Sequence, residues 1–427
     1  MDKIGKYDLI RALGKGATST VYLGVDAFAQ RQVAVKIASP EVLKDPARGR
    51  LYKHLFLNEA SLVGKLSHPH ITQIYDAAID DSLCYIVMEY VQGGTLETYA
   101  APEKLLPVER IVEIIFKCTR ALDFAYGIGI THRDIKPANI LFAGDSAASG
   151  DIKISDFGAA IIDSLDNTQV SGIGSPAYMS PEQVQELPLD YRTDIYSLGV
   201  VMYQLLCGRL PFQANNKYNM IYQIINADPK PPSHYRAGIP AGIDEITMRA
   251  MARDADNRYP SWRDFSNALA QAFRNKTLPL TKRNLTETEQ FETMREIAFF
   301  AAFSDVEIWE VLRFATWETV RAGKTIIRDG EHGDFFGFLI SGELKIIKHG
   351  RILNLMTNGD CFGEMAAISS EKIRTADVVA LTETQVVIIR GEILSQASET
   401  CRMHFYQAFL SVMVTRLALS SARLAAR

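Results

Sequence analysis

His132-Arg133-Asp134-Ile135-Lys136-Pro137-Ala138-Asn139, with Asp156-Phe157-Gly158 beginning seventeen positions after Asn139, decides how this chain is read. Two carboxylates, a carboxamide and an ammonium stand at short, fixed spacing. Asp134 can accept or orient the proton of a hydroxyl. The side-chain oxygens of Asn139 and Asp156 suit a hard divalent cation, which prefers oxygen ligands. Lys136 can neutralise charge moving onto an anionic group. Taken alone, a His-Arg-Asp triplet is equally a capped turn with a surface ion pair. The rest of the chain has to decide between these readings.

Upstream, Gly14-Lys15-Gly16-Ala17-Thr18-Ser19 follows an apolar strand and precedes Val21. Glycines there let the backbone approach a phosphate and turn N–H groups toward it. An ordinary hairpin turn fits the segment equally well. Lys36 ends the β-branched run Val33-Ala34-Val35-Lys36, and Glu59 lies on the helical pattern from Leu51 to Leu66. A Lys36–Glu59 ion pair would hold the ammonium in place. Met88-Glu89-Tyr90-Val91 ends an apolar strand and leads into Gly93-Gly94. From Pro107, Ile111, Ile114, Ile115, Cys118, Ala121 and Leu122 recur at helical spacing, and a second helix spans Ser197 to Leu206 before Gly208.

The chain has 427 residues, 47% hydrophobic and 22% charged, with net charge −4. That is enough apolar mass for more than one core, and it argues against a bulk-basic nucleic-acid binder. Cys84, Cys118, Cys207, Cys361 and Cys401 are scattered and without metal-ligand spacing, so they read as reduced thiols in the cytoplasm. No run of about 18 apolar residues predicts a membrane span.

In this order, Lys36, Glu59, Asp134, Asn139 and Asp156 resemble the working parts of eukaryotic-type Ser/Thr protein kinases. Residues 1–275 are read as that domain. The implied fold class is α+β, a bilobal kinase fold with a β-rich N-lobe and a helical C-lobe. The resemblance implies ATP and Mg2+, with Asp134, Lys136, Lys36 and Glu59 as catalytic residues and Asn139 and Asp156 on the metal. Gly14, Lys15, Gly16, Val21, Ala34 and Lys36 would surround ATP, with Glu89 and Val91 at the hinge. The third glycine of the family's phosphate loop is Ser19 here. Ser180-Pro181-Glu182 corresponds to the family's Ala-Pro-Glu, with Glu182 expected to pair with Arg258 and Asp194 to brace the catalytic loop. Lys136 and Ser175-Pro176 follow the Ser/Thr rather than the tyrosine pattern, so the partner is a protein with a Ser or Thr acceptor. Arg133 before the catalytic aspartate implies control by an activation-loop phosphate, for which Thr168 and Ser171 are candidates.

Residues 276–296 are polar and read as a connection. Beyond Ile297, glycines punctuate short strands such as Phe335–Ile340 and Leu344–Ile347, which predicts an antiparallel sandwich or roll, closed by a helix from Glu399 to Arg423. Cys361-Phe362-Gly363-Glu364-Met365-Ala366, with Arg374 and Thr375 following, resembles the phosphate-binding cassette of cyclic nucleotide-binding domains. Residues 297–427 are read as such a β-roll with flanking helices. The resemblance implies backbone N–H groups of Gly363, Glu364, Met365 and Ala366 around the cyclic phosphate and Arg374 paired with its charge. Glu364 would meet the ribose 2′-hydroxyl, and Thr375 the base. The effector is cAMP or cGMP, and its sign is open.

The resulting expectation is a cytoplasmic kinase controlled by cyclic nucleotide. Two alternatives stay open: a catalytically silent ligand-sensing scaffold, and an active kinase whose roll only dimerises. The sequence leaves the oligomeric state undecided, a dimer included.

Overall fold

The computed structural model of the protein describes residues 3–16, 18–45, 49–79, 83–159, 161–162, 176–274, 287–369, 371–391 and 397–425. Two compact units divide the chain, Met1–Thr281 and Lys282–Arg427.

The first unit opens with a six-stranded antiparallel sheet among the described residues. Its order is Lys3–Ile4, Tyr7–Lys15, Ser19–Asp26, Arg31–Ala38, Cys84–Glu89 and Ile74–Ile79. Side chains alternate across a strand, so the β-branched Val33 and Val35 go to one face, where they pack with Ile4, Tyr7 and Val87. Ala34 and Lys36 are thereby sent to the other face. The helix expected through Leu66 is shorter, Gly49–Ala60. Turns follow it, and Gly64 takes a left-handed conformation at φ 74° that would interrupt a continuing helix. A further short helix, Pro40–Leu43, precedes it.

The helical half is centred on Val108–Gly127 and Arg192–Cys207, both extensively buried. Continuous apolar runs on these helices reflect packing on several sides rather than on one stripe. The segment between them that carries Asp134 and Asn139 is irregular: a two-residue strand at Ile130–Thr131, a single turn at Pro137–Asn139, and the hairpin of Ile140–Ala143 with Ile152–Ile154.

The second unit is the expected antiparallel roll. One sheet runs Ala315–Val320, Thr384–Arg390, Phe335–Ser341, Cys361–Phe362, and the other Thr325–Ile327, Asp377–Ala380, Leu344–Lys348, Arg351–Met356. Leu339, Leu344, Phe362, Val378 and Val386 fill the space between them. The polar stretch read as a connection is not wholly irregular, because Glu287–Glu296 is a helix. Its apolar residues, Phe291 and Met294, are too few to register as a periodicity, yet both are buried, and Phe291 stacks on Trp309 at 4.6 Å. At the base of the roll Phe299, Phe300, Phe303, Phe336, Phe338, Phe405 and Phe409 form one aromatic core that pins the last helix, Glu399–Ala425. The five cysteines are buried free thiols. Among the described residues, no helix is long and apolar enough to cross a membrane.

Candidate functional site

Lys36 joins three elements. Its Nζ donates to Glu59 Oε2 at 2.9 Å and to Asp156 Oδ1 at 2.5 Å. Strand, helix and Asp-Phe-Gly turn therefore meet at one ammonium. Glu59 is almost fully buried, whereas the Asp156 side chain is 42% exposed. Burial pulls the Lys36 ammonium down, but Asp156 and Glu59 together raise it above its ordinary value. Asp156 is held below the usual carboxylate range, chiefly by Lys36. Burial pushes Glu59 up against the opposing pull of Lys36.

The His132–Asn139 segment is fixed from behind. Asp194, buried on its helix, accepts from the backbone N–H of His132 and of Arg133, each at 2.7 Å. Arg133 takes φ 67°, a conformation unusual for a side-chain-bearing residue and held here by those two bonds. Asp134 N donates to His132 Nδ1 at 3.2 Å, and the His132 ring lies against Phe157 with centroids 4.4 Å apart. Lys136 Nζ donates to Asp134 Oδ2 at 2.6 Å. Asn139 Nδ2 donates to the Asp134 carbonyl at 2.8 Å and to its Oδ2 at 3.1 Å. With its nitrogen committed, Asn139 keeps its amide oxygen for another partner. Ser155 N donates to Asn139 O at 2.8 Å, which ties the segment before Asp156 to Asn139. An amide oxygen and a partly exposed carboxylate are a donor set that fits magnesium completing its shell with phosphate and water. Glu182 and Arg258 form a two-pronged pair at 2.7 and 2.8 Å, with Arg258 buried.

Gly14, Lys15 and Gly16 lie at the end of their hairpin, with Gly14 opposite Val21 and Gly16 N donating to Ser19 O at 2.8 Å. Val21 pairs with Lys36, and Ala34 with Met88 beside the Glu89–Val91 segment. The Glu89 carboxylate is engaged by Lys153 at 3.0 Å, and its backbone N–H donates to the Gln73 carbonyl at 2.8 Å. Thr168 and Ser171 lie outside the described residues.

In the second unit a cavity of about 340 Å³ is lined by Phe362, Gly363, Glu364, Met365, Ala366, Arg374 and Thr375, with Leu353, Asn354 and Arg416 among its other walls. Arg374 is buried, donates Nη1 to Gly363 O at 2.9 Å, and lies 4.3 Å from the Phe335 ring centroid. Its Nη2 is buried without a hydrogen-bond partner. Burial lowers its pKa from the ordinary arginine value. Gly333 and Gly363 are the residues that let this guanidinium in: a Cβ on Gly333 would stand 1.7 Å from Arg374 Nε, and one on Gly363 would stand 2.7 Å from Nη1. A buried cation with an unused N–H beside a cavity is chemistry that suits an anion. Thr375 is at the exposed rim, with Oγ1 3.8 Å from Met365 Sδ. Glu364 is buried and already engaged, because Arg416 of the last helix donates to its Oε1 and to the Cys361 carbonyl. Burial nonetheless raises Glu364 above the usual carboxylate range.

Residues 7–274 match the protein kinase domain family. The chain belongs to the protein kinase family. Residues 317–401 of this kinase match the cyclic nucleotide-binding domain family. The serine/threonine-protein kinase PknB of Mycobacterium leprae is 38% identical over 261 residues, 60% of this chain and 41% of the relative. PknB of Mycobacterium tuberculosis strain H37Rv is 35% identical over 301 residues, 69% of this chain and 47% of the relative. A probable serine/threonine-protein kinase of Clostridium perfringens is 33% identical over 290 residues, 67% and 41%. The match thus spans under half the length of these curated relatives.

Sequence reasoning missed several contacts. Gln183 Nε2 donates to the Arg133 carbonyl at 3.0 Å, linking the kinase's Ser-Pro-Glu segment to the catalytic loop. Gly333 and Phe335, the walls around Arg374, were visible only as strand punctuation and strand apolarity. Arg416 is one of several arginines on the last helix, and nothing local in the sequence assigns it Glu364.

Proposed function

We propose that this chain is an ATP-dependent Ser/Thr protein kinase whose rate is set by a cyclic nucleotide bound in its C-terminal domain and by phosphate on its activation loop. The observation that carries the reading is Lys36 bridging Glu59 and Asp156, with Asn139 bonded both to Asp134 and to Ser155, the residue before Asp156. The membership in the kinase family and the serine/threonine kinases among its relatives support it.

Lys36, steadied by Glu59, would bind the α- and β-phosphates of ATP, while the glycine-bearing hairpin covers them. Magnesium, when held by Asn139 and Asp156, supplies charge neutralisation to the phosphates. Asp134 orients the Ser or Thr hydroxyl of the protein substrate and takes its proton as transfer proceeds. Lys136, paired with Asp134 at 2.6 Å, is close enough to turn to the migrating phosphoryl group. The chemistry is positioning and electrostatics in a fixed frame, with no covalent enzyme intermediate.

In the C-terminal domain Arg374 would give its unused Nη2 to the cyclic phosphate, with N–H groups of Gly363, Glu364, Met365 and Ala366 beside it. Glu364 would accept from the ribose 2′-hydroxyl and Thr375 would face the base, cAMP or cGMP. Phosphate on Thr168 or Ser171 would pair with Arg133. A protein substrate, ATP and cyclic nucleotide are the partners this reading requires, in the cytoplasm.

The test is phosphate transfer from ATP to a basic protein across separate cAMP and cGMP titrations. A coupling of about 1–3 kcal/mol changes rate or ATP affinity about 5- to 150-fold. Identical rates and ATP affinities with and without saturating nucleotide reject the regulatory part. Equal loop phosphate in wild type and Asp156→Ala, by mass spectrometry, rejects autophosphorylation.

A further inference from the structure

One row of residues crosses the sheet that contains Arg351–Met356. Ile327 pairs with Val378, Val378 with Ile346, and Ile346 with Asn354, and all four line the cavity of the second unit. The first three are aliphatic and belong to the core of the roll or pack against it. The fourth is a carboxamide.

Its place on the strand is unusual. Side chains alternate across a strand, so Asn354 shares a face with the buried Met356, while its neighbour Leu355 goes to the other face and is 57% exposed. Core packing selects the opposite polarity, and a polar residue on the inward face calls for a function. The Asn354 carboxamide makes no hydrogen bond to another described residue.

The row also has a direction. A Cβ on Gly363 would stand 2.7 Å from Arg374 Nη1 and 2.9 Å from Ile327 Cδ1, so the guanidinium belongs to the Ile327 end. Asn354 lies three strand spacings away, about 14 Å. An anionic nucleotide with its phosphate on Arg374 would extend over Val378 and Ile346 and bring the edge of its base to Asn354. The other polar walls are placed differently: Glu364 and Arg416 are bonded to each other, and Thr375 is at the rim beside Met365.

A carboxamide carries a donor beside an acceptor. Adenine answers that pair on either side of its 6-amino group, with N7 or with N1 as the acceptor. Guanine answers it only at O6 and N1–H, and at O6 and N7 it presents two acceptors. We propose that Asn354 reads the base in this cavity and selects adenine, so that cAMP is the preferred effector. The inference rests on the cavity being a cyclic-nucleotide site.

Calorimetric titration of the full chain with cAMP, cGMP and the cyclic monophosphate of purine riboside, which lacks the 6-amino group, tests it. For the wild type, cAMP is expected to bind about 5- to 150-fold tighter than either of the others, the discrimination of one bidentate pair. In Asn354→Ala the three are expected to bind alike, with cGMP as tight as before, which also shows that the site is intact. Equal binding of cAMP and the purine analogue by the wild type overturns the proposal, as does tighter binding of cGMP. An unchanged preference for cAMP in Asn354→Ala overturns it too and leaves the cavity a nucleotide site read by another residue. If Asn354→Ala binds nothing, the wild-type comparison of cAMP with the analogue decides. Binding of none of the three by the wild type rejects the cyclic-nucleotide reading itself, and the proposal with it.

Discussion

Asp134 is the residue from which the catalytic reading can be tested most locally. Its carboxylate is held by Lys136 and Asn139, so Asp134→Asn keeps the shape and removes the proton acceptor. The expected result is a fall in kcat of about 100- to 10,000-fold with little change in ATP affinity, read by steady-state kinetics. An unchanged kcat would remove Asp134 from the reaction. For the second unit, Arg374→Ala is expected to weaken cyclic-nucleotide binding about 10- to 100-fold by calorimetry, the loss of a charged hydrogen bond to an anion. Unchanged affinity would leave the cavity with another ligand or none. These residues were legible because the chemistry demands particular side chains at short spacing: Asp134, Lys136 and Asn139 lie within one turn and the next. Partners that meet only in space were readable through the resemblance alone, as with Glu182 and Arg258, or not at all, as with Glu364 and Arg416.

At the scale of elements, two buried histidines tie the His68–His70 segment to the strand leading into Asp156. The backbone N–H of His70 donates to His68 Nδ1, and the His70 ring contacts the Ile152 carbonyl and Asp151. Burial lowers both imidazoles, and at His70 the bond and charge of Asp151 and the Ile152 carbonyl pull the other way without reversing it. The unfolded chain therefore binds protons below about pH 6.5 that the folded segment refuses, so stability is present above that pH and lost as pH falls through it. The loss is up to about 1.4 kcal/mol per pH unit for each imidazole. Scanning calorimetry from pH 7.5 to 5.5 should show the transition of the first unit moving down, with a shallower slope in His68→Asn. A flat transition would mean that these rings gain their protons without unfolding. The last helix gives a second test: Phe405→Ala should destabilise the second unit by about 3–5 kcal/mol and leave the first unit's transition in place. Helices and strands with strong periodicity were readable, Val108–Gly127 and Phe335–Ser341 among them. Glu287–Glu296 was not, because a helix that buries only Phe291, Met294 and Thr288 has a pattern no denser than a polar loop's.

For the molecule as a whole, a protein kinase domain carrying Lys36 is followed in the chain by a cyclic nucleotide-binding domain carrying Arg374. If nucleotide acts through that sensor, Arg374→Ala should retain the nucleotide-free kinase rate and lose the response to cAMP or cGMP. A response that survives the substitution would place the effector elsewhere. Two units with separate cores were apparent from the change of texture near Ile297, where helical periodicity yields to glycine-spaced strands. The most direct test of the whole account is transfer of labelled phosphate from ATP and Mg2+ to a basic protein by the wild type and by Asp156→Ala. Incorporation on Ser and Thr by the wild type, lost in the variant, is the predicted result. Equal labelling by the two proteins, or none by the wild type at any cyclic-nucleotide concentration, would contradict it.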